Sequence, residues 1–477
     1  MTHNPDGVIT RAIGEFGRWQ LLMIIAIFAS KFAVGWHQIL VVIVSPPVEF
    51  ACSNATLDKC SVDCPSHDFD RNIFTETIIT EWDLVCDKLW LASFTQTIVM
   101  LGILIGNYAF GALADRFGRR GPLIAAIFMQ VVTGIGAAFA PWLWLYMVLR
   151  CLSTIATGGT MLTGFILLME FTAMKYRTVV GVLFQLPFHL GHASLGLIGY
   201  LLRDWHHMQM AVSLPQILLL SYFCILPESP RWLMALGRVD QVVKTLEGAA
   251  KCNKLPTENI RHEVESYMSR TWSDEQKSTA FDLVRTKRMR VKTLCLSLNW
   301  FVIALEYFAM AQYIGQIGGN IFLNIGAAGL FQVPGNFLLI WLMNRFGRKA
   351  SLIFSYVVCF VPCFIIAFLP SEPTWPTTMM GCIGMMGISM SFSNIYIYST
   401  EMYPTVVRNS GMGLSSMIAR IGSMISPFIT QLQEFRPWIP AVVLGTFPVI
   451  SSLVTLIFLP ETLNVHMPDN IEEADSL

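Results

Sequence analysis

Apolar residues gather along this chain into runs of about 20, the length an α-helix needs to cross the hydrocarbon core of a bilayer. Twelve such runs can be marked, at about 18–44, 90–112, 122–140, 143–169, 178–201, 209–226, 291–314, 321–343, 350–369, 377–400, 409–432 and 438–459. They predict an all-α membrane protein with twelve transmembrane helices. The first run, starting at Arg18, follows a polar leader that lacks the short apolar core and small-residue cleavage site of a signal peptide, so it reads as the first true helix. Composition agrees: of 477 residues, 54% are hydrophobic and 13% charged, against roughly a quarter charged in soluble domains. Net charge is zero, so no electrostatic case for nucleic acid arises.

Charge placement then orients the runs. Residues 45–89 carry nine acidic and three basic side chains and four cysteines, Cys52, Cys60, Cys64 and Cys86. This loop is expected outside, where two disulfides would persist, and spacing leaves three pairings open. The one glycosylation sequon, Asn54-Ala55-Thr56, falls in the same loop. Basic residues mark the opposite face: Arg116, Arg119 and Arg120; Lys175 and Arg177; Arg285 to Lys292; Arg345, Arg348 and Lys349. The positive-inside rule makes that face cytosolic, with both termini on it. The longest cytosolic segment, 234–290, has apolar positions such as Val242, Val243 and Leu246. These suit either short amphipathic helices at the membrane surface or a solvated linker.

An internal repeat organises the whole. Asp115-Arg116-Phe117-Gly118-Arg119-Arg120 returns 229 residues later as Asn344-Arg345-Phe346-Gly347-Arg348-Lys349. Glu170 and Arg177 return as Glu401 and Arg408 after 231, and Pro227-Glu228-Ser229 returns as Pro460-Glu461-Thr462 after 233. Three pairs in one order at near-constant offset indicate tandem duplication. The expected organisation is an N-terminal six-helix half (1–233, with the external loop 45–89), a linker (234–290) and a C-terminal six-helix half (291–477). Asp115, Arg116, Arg119, Glu170, Arg177, Arg345, Arg348, Glu401 and Arg408 lie at cytosolic helix ends, where ion pairs that differ between two states would act as gates.

These motifs make the chain similar to the major facilitator superfamily. Gly111 to Arg120 matches the motif between its second and third helices, and Arg150 with Gly158 and Gly159 resembles its fourth-helix motif. Pro227-Glu228-Ser229-Pro230-Arg231-Trp232-Leu233 is shared with sugar transporters. Glu81-Trp82-Asp83-Leu84-Val85-Cys86-Asp87 and Glu401-Met402-Tyr403-Pro404-Thr405-Val406-Val407-Arg408-Asn409 point more narrowly to the organic ion transporters of solute carrier family 22, with an invertebrate-like cast. The resemblance implies two parallel-repeat bundles that rock about a midplane site. The external loop is shorter than in many relatives and has four cysteines where six are common.

Ionisable residues inside a span are costly and mark function. Lys31, Glu306 and Arg420 lie deep in the first, seventh and eleventh runs. Where Arg420 stands, the resemblance implies arginine in anion-transporting members and aspartate in cation-transporting ones, and a guanidinium can grip a carboxylate bidentately. Lys31 and Glu306 either pair with each other as a gate or both meet ligand, which would suit a zwitterion. Gln38, Gln185, His189, Tyr307, Asn336 and Tyr396 complete the candidate substrate contacts. His189 with His192 is either a proton relay or a hydrogen-bonded structural pair. Asn336 stands near where anion-transporting relatives often carry lysine.

No nucleotide-binding loop, metal-ligand spacing or nucleophile triad is present, so neither an enzyme, a cofactor nor a bound metal is expected. The expected partners are a small organic ion and the plasma-membrane bilayer. The leading reading is a secondary-active or facilitative transporter leaning to carboxylate-bearing anions or zwitterions. An organic cation transporter and a transporter-like receptor that does not transport are the alternatives.

Overall fold

The computed structural model describes residues 5–53, 59–61, 64–271, 286–370, 374–404 and 407–463. Asn54 and Arg285 lie outside the described residues, as does the side chain of Arg408. Among the described residues twelve helices are long and apolar enough to cross a membrane: Arg18–Val44, Cys86–Phe117, Arg120–Ala137, Leu143–Phe171, Val179–Leu202, Trp205–Ile225, Lys287–Gln316, Ile321–Phe346, Arg348–Phe368, Trp375–Met402, Ser410–Gln431 and Ile439–Phe458. They are numbered here as spans one to twelve. Span six is not uniform, because it tightens into a 3₁₀ stretch, Leu214–Ser221, at Pro215. Proline lacks the N–H that the α-helical ladder needs.

Packing repeats with the sequence. Span one packs on five, two on four, three on four and on six; in the second half seven packs on eleven, eight on ten, nine on ten and on twelve. The two bundles meet chiefly where span five lies on eight and span two on eleven, which are equivalent pairings under the duplication. Small residues permit the close approaches, as is usual between helices in lipid. A Cβ on Gly106 would strike the backbone of Ile155, and one on Gly196 would strike the carbonyl of Phe322.

The loop between spans one and two is a small disulfide-bonded unit. Strand Phe50–Cys52 pairs antiparallel with His67–Phe69, and the disulfides are Cys52–Cys64 and Cys60–Cys86. Thr77 caps the turn Ile78–Glu81 reciprocally with Thr80. That turn rests on the fully buried Trp205, whose ring lies 5.3 Å from Trp82 and 5.1 Å from Tyr146.

On the opposite face the described part of the linker holds two helices, Val239–Cys252 and Ile260–Thr271. Their apolar stripe faces protein, not the membrane surface that amphipathicity suggested. Val242, Val243 and Leu246 are buried in one cluster with Val8, Ile9, Ala12 and Ile13 of the N-terminal helix Pro5–Ile13. Asn253 ties the group together: its Oδ1 accepts from the Trp19 amide at 2.8 Å and its Nδ2 donates to the Ile13 carbonyl at 2.7 Å. Arg11 meets Glu263 at 3.0 Å.

Candidate functional site

The duplicated charge motifs build the same corner twice. At Gly118 the chain turns with φ 94° and ψ 172°, and at Gly347 with φ 92° and ψ 178°, a region essentially reserved for glycine. The next residue points its side chain inward. Arg119 Nε lies 3.3 Å from Glu170 Oε1 and its Nη1 donates to the Ala114 carbonyl at 2.8 Å; Arg348 Nη2 lies 2.9 Å from Glu401 Oε1 and its Nη1 donates to the Met343 carbonyl at 3.3 Å. Behind each corner a carboxylate from the end of the half caps the following helix. Glu228 accepts from the Arg119 amide at 2.8 Å, and Glu461 from the Arg348 amide at 2.7 Å.

Each of these clamps therefore closes within one half, and none of the contacts just described joins the two bundles. Glu170 does not pair with Arg177, despite the repeated spacing of seven. Arg177 instead donates to the Thr172 carbonyl at 3.1 Å and to Asp6 of the N-terminal helix at 3.0 Å. Burial of the Arg177 guanidinium pushes its pKa down, with Glu170 acting against that shift. Asp115 reaches Arg119 at 3.4 Å from a largely exposed position, while Arg116 and Arg345 lie over the rings of Phe117 and Phe346.

At mid-membrane the two halves enclose a cavity of about 30 Å³, room for about two waters. It is lined by Lys31, Gln38, Gln185, His189, Tyr307, Tyr396 and Arg420, all singled out in the sequence. Lys31 and Arg420 are 4% and 3% exposed. Among the described residues no carboxylate belongs to the wall. Lys31 Nζ sits 4.7 Å from the Phe184 ring centre and 5.1 Å from that of Phe188, a cation–π arrangement. His189 Nε2 lies 3.1 Å from Ser389 Oγ across the halves, and its Nδ1 has no hydrogen-bond partner among the described residues. His192 is turned away to Gln332, 3.2 Å distant, which also takes the Tyr307 hydroxyl at 2.9 Å. The expected histidine pair is thus split between two polar bridges.

Two expected contacts are placed elsewhere. Glu306 is fully buried in the second half, outside the cavity wall, and among the described residues neither carboxylate oxygen has a hydrogen-bond partner. Among the described residues it forms no ion pair with Lys31. The helical turn that carries Tyr307 into the cavity turns its neighbour Glu306 away. Asn336 sits behind the wall and accepts from Ser393 at 3.1 Å.

Phe188, Phe308, Phe392, Ser389, Ser393 and Met161 line the cavity without having been singled out. Phe392 stands four residues before Tyr396, so helical spacing from Tyr396 could have found it. A further intramembrane charge, Arg150, is fully buried in the first half. It donates to the His37 carbonyl at 3.1 Å and reaches Gln209 at 3.5 Å. A larger cavity, about 140 Å³, lies between the halves toward the disulfide-loop face, with Gln96, Gln312 and Thr430 in its wall.

On that face Glu76, Asp204 and His206 converge, their ligating atoms all within 4.8 Å of one another. The sequence held no sign of this, since the loop and the turn between spans five and six are far apart along the chain. Beside them Glu81 accepts the Trp205 indole N–H at 2.6 Å. Burial pushes the Glu81 carboxyl up, partly offset by that bond and by His206.

Comparison with known proteins adds the family. Residues 22–471 match the family described as "Sugar (and other) transporter". The chain is 34% identical over 420 residues to "Organic cation transporter protein" of Drosophila melanogaster, covering 87% of this chain and 76% of that one. It is 34% identical to "Solute carrier family 22 member 3" of Mus musculus, covering 91% and 77%. With "Solute carrier family 22 member 6-A" of Xenopus laevis it is also 34% identical, covering 86% and 74%. Among solved structures, the inward-open xylose transporter XylE of E. coli superposes with a TM-score of 0.68 at 15% identity, covering 96% of this chain and 98% of that one. The duplicated bundles, the twinned charge corners and these relatives lead to one statement: the chain is a multi-pass membrane transporter of the major facilitator fold and belongs to solute carrier family 22.

Proposed function

We propose that this protein carries small organic anions across the plasma membrane by alternating access, with both termini cytosolic. The observation that supports this is the wall of the central cavity: Lys31 from the first half and Arg420 from the second, with no carboxylate beside them among the described residues. Two cations in a desolvated site are poorly stable without an anion between them. A carboxylate-bearing substrate supplies that charge, and Phe188, Tyr307, Phe392 and Tyr396 offer ring faces for its apolar body. A zwitterion fits less well, because Glu306, the carboxylate that would have met its ammonium, faces away.

The cavity is too small for such a substrate, so loading requires the halves to part. Residues 1–233 and 291–477 then act as the moving bodies, and the corners at Arg119 and Arg348 hold each together. Organic cation transport is the second reading, favoured by the aromatic wall and by the name of the Drosophila relative.

Uptake of labelled organic anions, cations and zwitterions by transfected cells, at matched surface levels, tests the reading. Arg420→Lys is expected to reduce anion uptake about tenfold or more by removing the bidentate fork, and Arg420→Asp to abolish it. Cation uptake indifferent to Arg420 would sink the anion reading, and no uptake of any class would favour a receptor.

A further inference from the structure

We propose that the disulfide-loop face carries a binding site for a transition-metal dication, Zn²⁺ in the first instance, formed by Glu76, Asp204 and His206. The donor set is one imidazole and two carboxylates brought within 4.8 Å of one another. Ligand atoms around a tetrahedral zinc ion stand about 3.3 Å apart, and His206 Nδ1 already lies 3.3 Å from Asp204 Oδ1. Mixed nitrogen and oxygen donors select zinc-like ions over calcium or magnesium. Three protein ligands leave a fourth position for water.

The surroundings match what a ligating histidine needs. The other ring nitrogen, Nε2, faces Glu81 Oε2 at 3.6 Å, the carboxylate–histidine arrangement that sets the tautomer and strengthens the metal bond. Glu81 is itself fixed by the N–H of the fully buried Trp205, whose ring lies against His206 at a tilt of 34° with centres 3.9 Å apart. The backbone is fixed too. Trp205 N donates to the Glu76 carbonyl at 3.1 Å and Thr75 N to the Arg203 carbonyl at 2.8 Å. Asp204 caps the helix starting at Trp205 by accepting from the His206 amide at 2.8 Å.

The loop that carries Glu76 reaches the seam between the halves. Phe74, two residues before Glu76, packs on Phe322 in the first turn of span eight with ring centres 5.2 Å apart. A metal joining Glu76 to Asp204 and His206 holds the loop against span six and so holds Phe74 at the interface between bundles.

Isothermal calorimetry on the purified, chelator-treated full chain, titrated with ZnCl₂, is expected to show one site per chain and a rise in thermal unfolding midpoint with metal. Glu76→Gln and His206→Ala should each abolish that site. Glu81→Gln, which touches no metal, should weaken it by about 10–100-fold. Absence of saturable binding by the wild-type chain, or binding unchanged in both Glu76→Gln and His206→Ala, would overturn the assignment. So would loss of binding in His207→Ala with binding retained in His206→Ala, which would move the imidazole donor to the neighbour whose Nδ1 lies 3.6 Å from Asp204 Oδ2. Glu76→Gln also serves as the decisive variant should His206→Ala fail to fold.

Discussion

At the scale of single residues, the corner glycines are constrained twice, by a positive φ and by a carboxylate where a Cβ would stand. A Cβ on Gly347 would meet the Glu461 carboxylate and sit at φ 92°. Gly347→Ala is expected to lose about 1–3 kcal/mol for the backbone alone, read as a lower unfolding midpoint in detergent. Asp115→Asn, altering an exposed partner of Arg119, should change that midpoint little. Lys31 and Arg420 were legible in the sequence because a charge inside an apolar run has few structural explanations. Phe188 and Phe392 were not, since an aromatic residue in such a run looks the same whether it packs or lines a cavity. Arg150 was legible only as part of a motif. Its burial between His37 and Gln209 needed the packing of spans one, four and six.

At the scale of elements, spans were legible to within a few residues because each is a long apolar run, whereas the direction in which an amphipathic helix turns its apolar face was not. Helix Val239–Cys252 could have lain on lipid; burial of Leu246 beside Ile9 and Ile13 shows that its partner is the N-terminal helix. Asn253 is the fastening. Asn253→Ala leaves the Trp19 amide without its partner, at about 1–3 kcal/mol, and leaves the Ile13 carbonyl with Gln20 Nε2 alone as donor. The expected result is a lower unfolding midpoint and reduced surface level, with the apparent KM of any transported substrate unchanged. An altered KM at normal stability would mean that this cytosolic cluster reaches the central cavity.

At the scale of the whole molecule, the duplication was legible because the motifs that recur are charged and sparse. Where the clamps would close was not. The motifs suggested pairs that form and break between states, and in this structure Arg119 meets Glu170 and Arg348 meets Glu401, each inside its own half. Movement is then expected at contacts between bundles, such as Val42 against Gly315 in spans one and seven. Oxidative cross-linking of a Val42→Cys, Gly315→Cys double variant is expected to stop uptake and a reductant to restore it, while either single variant keeps transporting. Continued uptake with the cross-link intact would exclude rocking at that seam. The carboxylate-free cavity also bears on the return half of the cycle. An empty carrier must close over Lys31 and Arg420 with no anion between them, whereas a loaded one closes over compensated charge. On the anion reading, reorientation is therefore slowest when nothing is bound, and a substrate waiting on the far side speeds the return: the same wall that selects anions makes one-for-one counterflow faster than net flux.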